Sequence, residues 1–128
     1  MRTRYTIVLS MVVGAVAGGI AIHGLHAQAA KPGYAIVDIS EVTDPEAFKA
    51  IPNSPTVSPS GLAALGGRYI IRTENITALD GTPPKRFVLI AFDNVEKAKA
   101  WNASAPMAEI NGIRAKATKS RSFVAEGM

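Results

Sequence analysis

The sequence predicts a single α+β domain in which one antiparallel sheet carries helices on one face. The first observation is the order of its segments: runs rich in β-branched residues alternate with helical patterns as strand, helix, strand, strand, helix, strand. The second is composition, because hydrophobic residues make up 48% of the 128 residues, enough to form a core. Cysteine is absent, so the core and not a disulfide framework must hold the domain together.

Four segments have the composition of strands: 34–42, 68–73, 86–92 and 120–125. The third of these, RFVLIAF, is the most hydrophobic and is expected near the centre of the sheet. The second and third are joined by a connection with turn chemistry at Asp80-Gly81, which suits neighbouring antiparallel strands.

The first helical region is predicted to be short and broken. Thr43 and Glu46 match a capping box that starts a helix, and Pro52 ends it. A proline-rich loop over 52–59 follows, and Ser60 is the expected cap of a second short helix. The first crossover is therefore expected to contain two short helices.

The second helical region begins near Asp93, and its apolar stripe includes Trp101. Pro106 is expected to break this helix, with a further helical segment over 107–117. Trp101 has two interpretations. It can anchor the helix on the sheet, or it can offer a stacking surface to a ligand.

This βαββαβ order is typical of the ferredoxin-like sandwich. Because the helices of that fold cover one face of the sheet, the other face would be bare. A bare sheet face in a domain this small indicates a partner. We therefore expect a homodimer formed through the open sheet face.

Residues 1–29 have the pattern of a signal peptide. Arg2 and Arg4 precede an uncharged run over 7–22, and Ala27-Gln28-Ala29 fits a small-x-small cleavage site. We therefore expect a periplasmic or secreted protein whose domain spans 33–127. A retained anchor is the alternative, in which case the leader alone would contact a membrane.

Both histidines, His23 and His26, lie in this leader. The mature domain then lacks a histidine base, a thiolate nucleophile and the usual ligands of zinc, haem or iron. No acidic cluster stands at ligand spacing, so we predict no metal and no other cofactor. Without Arg2 and Arg4 the charge falls from +4 to +2, 12 basic against 10 acidic residues, which is too weak to indicate a nucleic-acid partner.

Several short segments occur in a characteristic order. They are Asp44-Pro45-Glu46-Ala47-Phe48, Gly66-Gly67-Arg68-Tyr69 with Arg72, Leu79-Asp80-Gly81, Arg86 leading to Phe92, Glu96 to Trp101, Arg114 with Ala117, and Ser122-Phe123-Val124. Together they resemble the bacterial family known as domain of unknown function 1330 (DUF1330).

The resemblance covers roughly 33–127 and implies a ferredoxin-like protomer of the dimeric α/β-barrel superfamily, whose sheet packs on a second copy. It implies no substrate, because the family has no established activity. The sequence departs from the family at Leu65 and Asn102, where members often have tyrosine. A ligand site built on those tyrosines would be altered here.

Strand alternation supplies the candidate ligand-binding residues. Tyr34 and Asp38 share one face of the first strand, and Arg68 and Arg72 share one face of the second. If these faces coincide, Asp38 would pair with Arg68 or Arg72. The pair would either orient an anionic or carbonyl ligand in an apolar cavity or fix the register of an interface. The predicted ligand-binding residues are Tyr34, Asp38, Arg68, Arg72, Arg86 and Trp101.

A basic cluster near the carboxyl terminus has two interpretations. Its members are Arg114, Lys116, Lys119 and Arg121. They could bind an anionic partner, or they could be a solvated helix end followed by an edge strand.

Two functional classes stay open. The first is a non-catalytic dimer that binds a small apolar or carbonyl-containing molecule, which the absence of histidine and cysteine from the mature domain favours. The second is a cofactor-independent enzyme of the dimeric α/β-barrel kind, a monooxygenase or isomerase, an idea that the resemblance supplies.

Overall fold

The computed structural model describes residues 31–128. The predicted signal peptide lies outside the described residues. The four strands are β1 (Gly33–Val42), β2 (Arg68–Thr73), β3 (Arg86–Phe92) and β4 (Thr118–Glu126). All neighbours are antiparallel, in the order β2-β3-β1-β4. With β1 and β3 at the centre, this is the predicted ferredoxin-like arrangement.

Four α-helices connect the strands: α1 (Pro45–Phe48), α2 (Pro59–Ala64), α3 (Val95–Ala103) and α4 (Ala105–Ala117). A 3₁₀ turn over Pro55–Val57 separates α1 from α2, as the broken first crossover predicts. The last helix, α4, begins at Ala105 and includes Pro106, because proline is tolerated in the first turn of a helix. Within residues 31–128, no helix has the length and apolar character needed to span a membrane.

The helix caps differ from the sequence predictions by one or two residues. Asp44, not Thr43, caps α1, and its Oδ1 accepts the N–H of Ala47 at 3.1 Å. Ser58, not Ser60, caps α2 by accepting the N–H of Gly61 at 3.0 Å. Each true cap directly precedes a proline, which suits the first helical position.

Side-chain alternation along β1 separates the two faces of the sheet. Ala35, Val37 and Ile39 are buried against the helices, whereas Ile36 and Asp38 lie on the opposite, open face. The sheet therefore has one covered face and one open face, as predicted.

Alternation fails in β2, where the register with β3 shifts between Tyr69 and Ile71. Arg68, before the shift, lies on the open face. Arg72, after it, lies opposite Val88 on the covered face. One extra residue of this bulge type reverses the side to which the following side chains point. The expectation that Arg68 and Arg72 share a face is therefore wrong.

The core under the covered face forms two clusters. The larger contains Trp101, whose ring centroid lies 5.4 Å from that of Phe92, so this tryptophan anchors α3 on the sheet. The smaller is Val37, Ile39, Phe48 and Ala117. Ile51 and Val88 are partly buried and pack against both clusters.

Two glycines provide a test of this packing. A Cβ at Gly61 would lie 1.9 Å from the carbonyl oxygen of Pro55, a backbone atom of the 3₁₀ turn. We expect Gly61→Ala to lower the free energy of unfolding by more than about 1 kcal/mol, because backbone must move. Urea unfolding measures the change.

Gly112→Ala is the matched control, since a Cβ there meets nothing within 4 Å and the residue lies inside α4. It should raise the free energy of unfolding by about 0.5–1 kcal/mol through helix propensity. A free energy of unfolding that is unchanged or raised in Gly61→Ala would contradict the close approach of α2 to the 3₁₀ turn.

Candidate functional site

A pocket of about 360 Å³ lies between the covered face of the sheet and the helices. Its apolar wall includes Ile39 and Val88 from the sheet and Phe48, Trp101 and Met107 from the helices. The first crossover, the sheet and the last two helices thus all contribute side chains to one concave site.

The pocket coincides with the division of the core. Ile51 and Val88, which pack against both clusters, also line the pocket. A closely packed domain of this size usually has one contiguous core. The gap between the two clusters is therefore the pocket itself.

The β2 side of the pocket carries a phenol and a guanidinium group. The Tyr69 hydroxyl donates to the Val57 carbonyl at 2.6 Å, and Arg72 Nη1 donates to the same oxygen at 3.4 Å. The guanidinium carbon of Arg72 lies 5.0 Å from the centroid of the Tyr69 ring. Burial raises the pKa of Tyr69, although Arg72 opposes this, so the phenol is a hydrogen-bond donor at neutral pH.

Arg86 lies beside Arg72 on the covered face. Arg72 is opposite Val88 and Arg86 is two residues before Val88, which makes the two arginines diagonal cross-strand neighbours. The Arg86 side chain is 34% exposed, forms an ion pair with Glu74 and stacks 4.9 Å over the ring of Phe48. Glu74 thus neutralises one of the two guanidinium groups.

Arg114 approaches the pocket from α4. It donates to Asn111 Oδ1 at 2.8 Å and to Ser122 Oγ at 3.4 Å, both uncharged acceptors. Burial lowers the pKa of Arg114, because desolvation disfavours its charged form.

The sequence prediction missed Tyr69 and Arg114 as pocket residues. Arg114 belongs to the family resemblance and to the basic cluster but is not among the predicted ligand-binding residues, although Met107, Ile110 and Arg114 follow helical spacing along one side of α4. That spacing is the signal that could have located Arg114. Tyr69 carries no comparable signal in the sequence.

The six predicted ligand-binding residues divide between the two faces of the sheet. Arg72, Arg86 and Trp101 line the pocket. Tyr34, Asp38 and Arg68 belong to the open face. The bulge in β2 is the reason that Arg68 and Arg72 lie on different faces, whereas regular alternation places Tyr34 and Asp38 on the open face.

Asp38 does not pair with Arg68 or Arg72. Its carboxylate accepts from Arg121 Nη2 at 2.7 Å, because the two residues are directly opposite in the β1–β4 ladder. Lys119 pairs in the same way with Glu41 at 3.3 Å. Lys119 and Arg121 thus form the ion pairs expected of a solvated edge strand. The four basic residues do not form one cluster in the folded domain, since Arg114 lines the pocket.

One polar atom beside the pocket is unsatisfied. Trp101 Nε1 is buried and has no hydrogen-bond partner among the described residues. A buried indole N–H usually has an acceptor. No group of three or more histidine, aspartate or glutamate side chains within 31–128 is arranged to hold a metal ion.

The open face carries an apolar row that crosses the whole sheet. Ile71, Leu89, Ile36 and Phe123 are successive cross-strand neighbours, one from each strand. Ile71 is 39% exposed and Phe123 is 50% exposed. Such a row is typical of a surface that another molecule covers.

Several solved structures are similar in fold, among them the following three. A protein of unknown function from Rhodopseudomonas palustris has a TM-score of 0.54 at 14% identity, covering 84% of this chain and 92% of that chain. The methylated form of that protein has a TM-score of 0.56 at 13% identity, covering 84% and 90%. A putative antibiotic biosynthesis monooxygenase from Nitrosomonas europaea has a TM-score of 0.50 at 17% identity, covering 77% and 92%.

At these identities the likeness shows the fold alone, and no functionally curated protein matches the sequence. The family model described as domain of unknown function (DUF1330) matches residues 32–128, the whole βαββαβ domain with its pocket and its open face. This chain therefore belongs to the DUF1330 family.

Proposed function

We propose that the protein is a small-molecule-binding domain whose pocket takes a small apolar or carbonyl-containing molecule. The observation that carries this proposal is the division of the core by a pocket of about 360 Å³. Small-molecule sites usually measure roughly 300–1,000 Å³, with apolar walls and a few polar groups. An unfilled gap costs stability because its lining loses contacts, and a bound molecule restores them.

The polar groups of the pocket suit binding better than proton abstraction. The phenol of Tyr69 keeps its proton, since burial raises its pKa. Glu74, the carboxylate that lines the pocket, is engaged by Arg86. The remaining groups are guanidinium donors, which orient a carbonyl or a carboxylate without serving as a base.

A cofactor-independent monooxygenase or isomerase is the second candidate. The fold shared with the Nitrosomonas europaea protein favours it, although one fold hosts many activities. In that case Glu74 is the group placed to act as a base. Asp38 is not, because it lies on the other face of the sheet in an ion pair with Arg121.

We also propose that a second copy of the chain covers the open face. The apolar row of Ile71, Leu89, Ile36 and Phe123 supports this, because its aliphatic and aromatic side chains remain partly exposed in a single protomer. A twofold axis that runs parallel to the sheet, just outside its open face, would place the row against its own copy. Such burial would contribute stability in proportion to the apolar area removed from water.

Export to the periplasm or beyond the cell is proposed from the leader alone. Arg2, Arg4, the uncharged run over 7–22 and Ala27-Gln28-Ala29 support it.

A larger side chain that fills the pocket tests whether the pocket binds a small molecule. Val88→Phe should abolish binding of 4-phenylbutyramide, a neutral probe with a phenyl body and a carbonyl group. Because the new ring enters existing space, the free energy of unfolding should change by less than about 1 kcal/mol. Calorimetry measures binding, and fluorescence reports it independently because Trp101 is the only tryptophan of the chain and lines the pocket.

Ala98→Leu is the control variant. It also enlarges a side chain, but at a position with no free space, since Ala98 is 0% exposed within the larger cluster. It should cost about 1–3 kcal/mol. Wild-type protein that binds no probe, or a Val88→Phe variant as destabilised as Ala98→Leu, would contradict the proposed binding site.

The dimer is tested with Phe123→Glu. A charge in the apolar row should dissociate the dimer at micromolar concentration, because burying an unpaired carboxylate is costly. Sedimentation velocity measures the mass. Ala100→Glu on the exposed side of α3 is the control and should leave the mass unchanged. A wild-type monomer would sink the proposal.

The leader is tested by native mass spectrometry of protein recovered from the periplasm. Cleavage after Ala29 gives a chain that begins at Ala30. A full-length chain found in the membrane fraction would show a retained anchor and refute cleavage.

A further inference from the structure

The charge of the pocket lining is unbalanced. Three guanidinium groups line it, those of Arg72, Arg86 and Arg114, against the single carboxylate of Glu74, which gives a net charge of +2. Glu74 pairs with Arg86. None of the ion pairs within residues 31–128 includes Arg72 or Arg114. Among residues 31–128, Arg72 and Arg114 therefore have no carboxylate partner.

Neither of these arginines is saturated by its neutral partners. Arg72 contacts the face of Tyr69 and donates one long bond, 3.4 Å, to the Val57 carbonyl. Arg114 bonds two uncharged acceptors, one of them at 3.4 Å. A guanidinium group has further N–H donors in the same plane, so both groups retain donors for a ligand.

Desolvation without a counter-charge is unfavourable for a cation. Burial of Arg114 is the largest influence on its pKa and lowers it. An anion bound in the pocket would relieve this cost and would form charge-assisted hydrogen bonds. Among anions, a carboxylate matches the planar fork of a guanidinium group with two parallel bonds.

The apolar wall of the pocket indicates the chemistry of the ligand beyond its carboxylate. Val88, Trp101 and Met107 offer a surface without polar acceptors for an aliphatic or aromatic body. We infer that the pocket recognises an organic carboxylate with a compact apolar body, bound by Arg72, while Arg114 adds positive charge from the opposite side of the pocket. This inference rests on the proposed function, since it names the ligand class of the same pocket.

The test compares two probes of one shape, 4-phenylbutyrate and 4-phenylbutyramide, by calorimetry on the full domain at low salt. The carboxylate should bind about tenfold or more tightly than the amide, because its bonds to arginine are charge-assisted. Arg72→Gln should reduce this preference several-fold, and Arg114→Gln should reduce it less, because Arg114 acts across the pocket. Arg72 is exposed at the pocket, so its variant remains informative even if Arg114→Gln fails to fold.

Arg68→Gln is the matched control, because Arg68 lies on the same strand but on the open face. It removes the same charge and should keep the preference intact. Equal affinity of both probes for the wild type, a preference that survives in Arg72→Gln and Arg114→Gln, or one lost equally in Arg68→Gln would overturn the carboxylate inference. Equal affinity would leave the proposed binding function standing, whereas no binding of either probe would overturn both.

Discussion

In the pairing of β2 with β3, one extra residue stands between Tyr69 and Ile71, and the sheet depends on this bulge for both of its surfaces. After the bulge, Arg72 points to the covered face, where it joins Arg86 at the pocket. Ile71 falls on the open face opposite Leu89 and completes the apolar row. An uninterrupted strand would place Arg72 on the open face and would remove a cation from the pocket.

The two surfaces are apolar for different reasons. The open face exposes a row of large side chains, which a partner can bury on a flat contact. The covered face already has its helices, yet its core is divided, and Ile51 and Val88 remain partly exposed between the two clusters. A second copy of the chain suits the first surface, and a small molecule suits the second.

The chemistry of the pocket follows from which polar groups keep unused hydrogen-bond donors. The Tyr69 hydroxyl and Glu74 are engaged, whereas Arg72 and Arg114 retain donors. A site rich in fixed donors and poor in free bases holds and orients an anion. Retention of a ligand explains such a site more directly than proton transfer does.

The sequence by itself determined the element order, the strand positions and the division into a covered and an open face. These follow from local patterns, because β-branched runs, prolines and alternation act over a few residues. Half of the six ligand-binding residues that the sequence predicts, Arg72, Arg86 and Trp101, line the pocket. Only the tertiary structure decided that Asp38 pairs with Arg121 and that Arg114 turns inward. Cross-strand register and helix packing are set between segments distant in the chain, and a shift of one residue exchanges the faces.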